Sequence, residues 1–394
     1  MDLISNPYTP GAGAQPAALV GRGRELEAFD AIIQRAEQHL RSRGLVLSGL
    51  RGVGKTVLLN ELHGQARRAG WLAVKIEAQS DDAGKRDVRY TLARELTAAA
   101  RTVKSRSTVV TQSLAGALAT ITSFGFKIGG VGIDLGVDRR EGRADSGDLE
   151  IDLRELVEDV ADAMSHEGKG FVLFIDELQD LDRVILGPLL SVEHASMQDG
   201  RPFYVIGAGL PSVRSILPDI RSYAERQFEY RTIDRLSLDD AAKALREPAA
   251  QRGVSFQDEA VRLLLEAADG YPYFLQVFGS AAWLSAPGPY EVTAADASAA
   301  VVYGTQDLDE GFFPSRWDRA TKAERRYMSA MAIDDDRPTA VSDIATRLGK
   351  ALTGTSPARD KLIAKGLVYA PERGQVAFTV PHMAAYINRL TDRD

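Results

Sequence analysis

No segment constrains this chain more than residues 48–57, SGLRGVGKTV. Glycines stand at 49, 52 and 54, followed by Lys55 and Thr56. An apolar run, LVLSGL at 45–50, precedes them, and a helical stretch from Lys55 to about Arg68 follows. A strand, a glycine-rich turn and a helix in that order fit G-x-x-x-x-G-K-[ST] in the setting that motif requires. Glycine lets such a loop curl until its backbone N–H groups point inward. There the helix N-terminus adds the positive end of its dipole, so the loop can hold phosphate oxygens. Gly-rich strand-to-helix turns also occur without nucleotide, so the flanking elements matter to the reading. Gly49, Gly52, Val53, Gly54, Lys55, Thr56 and Val57 are the expected nucleotide-binding residues, with ATP or ADP as ligand. Lys55 would reach the β- and γ-phosphates, and the Thr56 hydroxyl suits a hard cation, Mg2+.

A second motif agrees with the first. FVLFIDE at 171–177 is five apolar residues that deliver Asp176 and Glu177 to the C-terminal end of a strand, where ligands meet an open parallel sheet. Asp176 would hold Mg2+ through water, and Glu177 would act as general base on the attacking water. The competing reading is a solvated acidic strand end.

Around these motifs, strands and helices alternate: 45–50, the helix from 55, WLAVKIEA at 71–78, a helix at 86–101, a helix at 149–164, FVLFIDE, and PFYVIGAG at 202–209. That order predicts an α/β fold with a parallel sheet and crossover helices. Residues 102–148 break the rhythm with Ser, Thr and Gly and include FGFKIGGVGIDLGV, a hairpin signature. They read as a surface insertion or as a projecting contact element. From Ser237 the pattern is all helical to about Gly304. The tail reads as helices at 321–332, 341–348 and 357–365, then two short strands joined at 371–374, a winged helix-turn-helix pattern. Three parts are therefore expected: a nucleotide-binding domain at 1–235 with an insertion near 102–148, a helical lid at 236–306, and a winged-helix domain at 317–394.

Composition sets limits. The chain of 394 residues has no cysteine, which excludes disulfides, thiolate metal sites and cysteine nucleophiles and agrees with a reducing interior. No run approaches the ~20 apolar residues that span a bilayer, and the N-terminus lacks a basic start followed by an apolar stretch. A cytoplasmic protein with no membrane partner is the expectation. The net charge of −7 gives the whole molecule no pull on nucleic acid. Residues 317–394 differ, with 13 Lys and Arg against 10 Asp and Glu, which leaves −10 for the rest.

Taken together, NPYTPGAG, LVGRGRELEAF, GLRGVGKT, LFIDELQDL, IGAGLP, YAERQFEY, DGYPYFLQ and the tail resemble the AAA+ ATPases, in particular replication-initiator ATPases of the origin-recognition type. The resemblance covers nearly the whole chain. It implies a P-loop NTPase domain, a helical lid and a winged helix, with ATP between the first two parts. It implies that Val20, Gly21 and Arg22 lie near adenine and ribose, and that Gly270, Tyr271 and Pro272 pack on the base side. GYP also resembles the G-x-P element of the STAND ATPases.

Two departures stand out. Gly207-Ala208-Gly209 occupies the place of a polar γ-phosphate sensor, and no arginine follows Gly270 where many relatives carry a second sensor. An arginine from an adjacent subunit could supply the charge, and Arg226 is the best-placed match, with Arg221 and Arg214 behind it; an intramolecular salt bridge is the alternative for Arg226. In the tail, Arg359, Lys361 and Lys365 fall on the second helix of the helix-turn-helix and Arg373 on the wing, candidates for phosphates of double-stranded DNA, with protein contact or domain closure as the alternative. Phe312, Phe313 and Trp317 read as packing between lid and tail. The expected function is an ATP-binding and ATP-hydrolysing protein, DNA-associated and initiator-like, with a homo-oligomer or a protein partner possible. The alternative is a STAND-like switch whose tail binds protein. A metabolic kinase fits poorly, because the C-terminal third offers no evident substrate pocket.

Overall fold

Apolar runs bounded by polar turns form the sheet at the heart of this chain. The computed structural model describes residues 1–79, 91, 92, 94–96, 98, 99, 116, 117, 119–124, 142–288 and 290–391. Strands β1 (Gly44–Ser48), β2 (Leu72–Glu77), β3 (Phe171–Asp176), β4 (Phe203–Gly209) and β5 (Phe228–Thr232) pair in the order β2-β3-β4-β1-β5. All four pairings are parallel, with Leu45 opposite Ile206, Phe171 opposite Phe203 and Val46 opposite Tyr230. β1, β3 and β4 are buried along their whole length, as expected of strands covered on both faces. Four of the five strands were legible as apolar runs. β5 was not: its sequence FEYRT buries only Phe228, because an edge strand has one neighbour and less cover.

The chain divides into two compact units. One comprises Arg22–Ser48 and Lys55–Thr232 and contains the sheet. Successive side chains of a strand point to opposite faces. Phe174 therefore meets Phe29 of helix α1 (Gly23–Glu37) at 5.7 Å and His63 of helix α2 (Lys55–Arg68) at 5.4 Å between ring centroids. Its neighbours Leu173 and Ile175 join the cluster of Leu156, Val160, Leu186 and Leu189 from the helices Leu149–Ser165 and Arg183–Asp199. Helical residues within 91–99 and 116–124 add Leu92, Leu96 and Phe124 to that cluster. Phe124 is thus helical rather than extended, and the remainder of the expected hairpin lies outside the described residues.

The other unit comprises Met1–Gly21, Gly49–Gly54 and Ile233–Asp394. Helices Leu238–Ala250, Asp258–Ala268, Pro272–Ser285 and Ala294–Asp307 pack together beside a two-stranded ribbon, β6 (Ser255–Phe256) with β7 (Glu291–Val292). The N-terminal arm lies on this bundle. Asn6 Nδ2 donates to Ser280 Oγ at 2.9 Å, Trp283 Nε1 donates to the Asp2 carbonyl at 3.0 Å, and the buried Tyr8 hydroxyl donates to the Leu245 carbonyl. A Cβ at position 279 would come within 2.7 Å of the Tyr8 ring, so Gly279 admits that ring. Beyond a π-helical turn at Leu308–Phe312 come helices Lys322–Ala332, Val341–Arg347, Leu352–Ala364 and Met383–Thr391, with strands β8 (Thr339–Ala340), β9 (Val368–Tyr369) and β10 (Gln375–Phe378) in the antiparallel order β8-β10-β9. Phe313 is buried and stacks on Tyr386 at 5.0 Å, while Arg389 pairs with Asp309 at 2.6 Å.

Candidate nucleotide site

The phosphate loop has the backbone that its glycines anticipate. Gly52 and Gly54 have φ of 86° and 87°, in the left-handed region where a side chain is strained. A Cβ added at Gly54 would meet nothing within 4 Å, so the loop leaves open space beside that residue. Gly49 is required for another reason: a Cβ there would fall 2.1 Å from the Ile233 carbonyl oxygen. Val53 anchors the loop with 1% of its surface exposed. Lys55 opens α2 and is buried, Thr56 follows it half-buried, and no acid stands in the first turn to offset the positive end of the helix. An open glycine cradle running into such a helix fits a phosphate group.

At the end of β3, Asp176 is buried and its Oδ1 accepts from the Glu177 N–H at 3.0 Å. Glu177 adopts φ 50°, ψ 45°, a left-handed turn that sends the chain away from the strand. Its carboxylate accepts from Gln179 Nε2 at 2.6 Å, and Gln179 Oε1 in turn accepts from the Leu210 N–H at 2.9 Å. Glu177 is therefore tied through Gln179 to the end of β4. This explains the glycines at 207 and 209: a Cβ at 207 would lie 2.4 Å from Leu178 Cδ2, and one at 209 would lie 2.5 Å from Gln179 Oε1. Sequence reasoning saw only a missing sensor on β4 and passed over Gln179. The available signal was the pairing of two glycines on one strand with a polar residue just past the acids of the next.

The residues expected near the base gather within the second unit, Arg22 excepted. Gly21 has φ 68°, and a Cβ there would meet Leu236 Cδ2 at 2.8 Å and Asp240 Oδ2 at 3.0 Å. The Gly270 carbonyl accepts from the Leu236 N–H at 2.8 Å, and Gly270 has φ 71°. Tyr271 and Pro272 begin the helix Pro272–Ser285, and burial pushes the Tyr271 hydroxyl up to about 12. Tyr273 donates its N–H to the Gly52 carbonyl at 3.2 Å, and Arg51 donates its N–H to the Thr379 carbonyl at 3.0 Å. Neither Tyr273 nor Thr379 was singled out from sequence. Val20 lies just before Gly21, half-buried; Arg22 is buried and caps α1, its carbonyl accepting from Glu25 and Leu26.

Arg226 lies exposed on the short helix Ala224–Gln227 and has no ion pair among the described residues. Arg221 pairs with Glu150 at 3.6 Å. Arg214 reaches Ser48 Oγ at 3.4 Å and Thr232 Oγ1 at 2.7 Å, at the ends of β1 and β5. In the tail the four cations separate. Arg359 pairs with its neighbour Asp360 at 3.0 Å, and Lys365 pairs with buried Glu324 at 2.6 Å while donating to the Arg319 carbonyl at 2.8 Å. Lys361 and Arg373 are exposed without an ion pair among the described residues.

Residues 18–196 match the AAA ATPase domain, and residues 310–387 match a domain of unknown function. No curated protein sequence matches the chain. Among solved structures, a Walker-type ATPase of Pyrococcus abyssi is similar, with a TM-score of 0.62 and 16% identity over 95% of this chain and 97% of that one. The RuvB Holliday junction branch migration motor of Thermotoga maritima matches with a TM-score of 0.44 and 15% identity over 93% and 96%. The Aeropyrum pernix Orc1 protein in complex with DNA matches at 0.45 and 16% over 96% and 94%. Among the described residues no helix is long and apolar enough to cross a membrane.

Proposed function

We propose that this chain is an ATPase that binds ATP with Mg2+ at the phosphate loop and couples the state of that nucleotide to its C-terminal segment. The observation that carries the reading is the open glycine cradle at Gly54 running directly into buried Lys55. Backbone N–H groups and Lys55 would bind the phosphates. Thr56 and Asp176 would hold Mg2+, which when bound offsets charge on the transferred phosphoryl group. Glu177, oriented by Gln179, would take the proton of the attacking water. Val20, Gly21, Arg22, Tyr271 and Pro272 would surround the base, in keeping with the gathering of Gly21 and Gly270 about Leu236.

The proposed division is an ATPase domain at 1–235, a lid at 236–306 and a winged helix at 317–394. The three-stranded sheet behind the helix Leu352–Ala364 supports the winged-helix reading. A DNA-associated, initiator-like role would place Arg359, Lys361 and Arg373 on duplex phosphates, with Lys365 serving packing instead. An exposed Arg226 without an ion pair supports action on a neighbouring subunit. One observation favours the second reading, a signalling switch whose tail contacts protein. The phosphate loop is itself hydrogen-bonded to Thr379 in the tail, so nucleotide and tail can bias one another without DNA. Gel retardation of duplex DNA with and without ATP tests the two: retardation that depends on ATP supports the first reading, and none under either condition supports the second.

A further inference from the structure

At the N-terminal end of β1, away from the glycine loop that follows its other end, lies a cavity of about 530 Å³ that the nucleotide reading does not use. Gly44–Ser48 is five residues long, so the strand separates the cavity from Ser48 by roughly 13 Å. Every lining residue belongs to the unit that contains the sheet. The volume falls within the roughly 300–1,000 Å³ of sites that hold small molecules.

The chemistry of this cavity is lopsided. Ala28, Ala31 and Ile32 of α1 and Met197 of the helix Arg183–Asp199 supply an apolar wall, while Arg35, Arg41 and Arg43 supply guanidiniums. The acid on the wall, Glu229, is already paired with Arg231. None of the three arginines has an ion pair among the described residues. Acids are in surplus in this chain, 55 Asp and Glu against 48 Lys and Arg, so a cavity faced by unpaired arginines reverses the overall charge locally.

Two of the arginines are held in place. The chain turns at His39, with φ 56°, and brings residues 41–43 back alongside Arg35. Arg35 Nε donates to Ser42 Oγ at 3.1 Å and its Nη2 to the Arg41 carbonyl at 2.7 Å, which leaves Nη1 without a partner among the described residues. The Arg41 guanidinium lies over Gly200, where a Cβ would stand 3.4 Å from Nη2, and the C-terminal end of the helix Arg183–Asp199 favours a cation there. Arg43 is exposed. All three cations are arginine, whose planar fork matches phosphate oxygens two at a time as the point charge of a lysine does not.

We propose that this cavity binds a phosphorylated small molecule with an apolar body, its phosphate on Arg35, Arg41 and Arg43 and its body against Ile32 and Met197. This is a second ligand site, and it stands whether or not the phosphate loop holds nucleotide.

The test is ligand-observed NMR titration of phenyl phosphate into the full chain, with inorganic phosphate as the probe that lacks a body. Wild type is expected to bind phenyl phosphate with a Kd of about 1 mM or tighter, and inorganic phosphate about ten-fold more weakly. Arg41→Gln combined with Arg43→Gln should weaken phenyl phosphate by at least roughly ten-fold, the loss of charge-assisted pairs. Ala31→Glu adds a competing carboxylate at an exposed helical position and should act in the same direction; it carries the test should the double variant fail to fold. Lys55→Ala should leave the affinity within about two-fold, since the sites are separate. No binding by wild type up to about 10 mM overturns the proposal, as does equal affinity in wild type and the cavity variants. Binding lost in Lys55→Ala but kept in the arginine variants would belong to the phosphate loop and overturns it as well. Inorganic phosphate binding as tightly as phenyl phosphate overturns the assigned ligand class. A tetraglutamate peptide that binds more tightly than phenyl phosphate marks a protein-contact surface and overturns the proposal too.

Discussion

Glu177 and Gln179 show how one short segment can hold chemistry that a motif only outlines. Glu177→Gln keeps size and shape but cannot accept the water's proton, so ATP should still bind while turnover falls by roughly 10²- to 10⁴-fold. Single-turnover hydrolysis beside ATP titration measures both, and a wild-type rate would remove Glu177 from the reaction. Gln179→Leu should act through Glu177. It removes one hydrogen bond that orients the carboxylate and takes the Gln179 acceptor from the Leu210 N–H, so turnover should drop about ten-fold with little change in ATP affinity. A shift in affinity alone would mean that Gln179 touches nucleotide instead. The glycines of the phosphate loop and the two acids at the end of β3 were legible because each motif demands particular residue types at fixed spacing. Gln179 was not, since its role follows from a side chain fitting over Gly209, a contact that no local pattern encodes.

Among the elements, four apolar strands announced themselves by burial, whereas β5 and the two-residue strand β8 are too polar or too short to do so. The helix Arg183–Asp199 carries a buried acid with a measurable consequence. Glu193 sits against β4, accepting from the Val205 N–H at 3.1 Å and from Gln227 at 2.5 Å, and burial pushes its carboxyl up to about 8. Between pH 4.5, its ordinary value, and about 8, the folded protein keeps a proton that the unfolded chain has released. Each rise in pH across that window therefore favours unfolding, with a slope of up to ~1.4 kcal/mol per unit. Denaturant melts of wild type and Glu193→Gln should show a decline from pH 5 to 8 that is shallower in the variant; parallel curves would remove Glu193 as the cause. In the tail, replacing both Lys361 and Arg373 by Ala should lower the salt slope of duplex binding by about two if both meet phosphates. Lys365→Ala should instead cost roughly 1–3 kcal/mol of stability, because Glu324 is 1% exposed and would lose its cation. These cations look alike in sequence; their partners separate them.

For the whole molecule, the phosphate loop has two allegiances: its glycines cluster with the unit that holds Tyr273 and Thr379, while Lys55 begins a helix of the unit that holds the sheet. A nucleotide gripped by that loop would engage the unit that also holds Thr379 of the tail, which is the basis for proposing a switch. If Arg226 serves a neighbouring subunit, specific activity should rise with protein concentration. Mixtures of Arg226→Ala with Lys55→Ala should then recover part of the activity that each lacks; constant activity per molecule over a wide dilution series would show the site to be complete within one chain. All of this depends on phosphate binding at the loop. Calorimetric titration of ATP and Mg2+ into wild type and Lys55→Ala tests it most directly. The account predicts binding in the wild type and at least a roughly 100-fold weaker affinity in the variant, with its melting temperature kept; equal affinity in the two would contradict it.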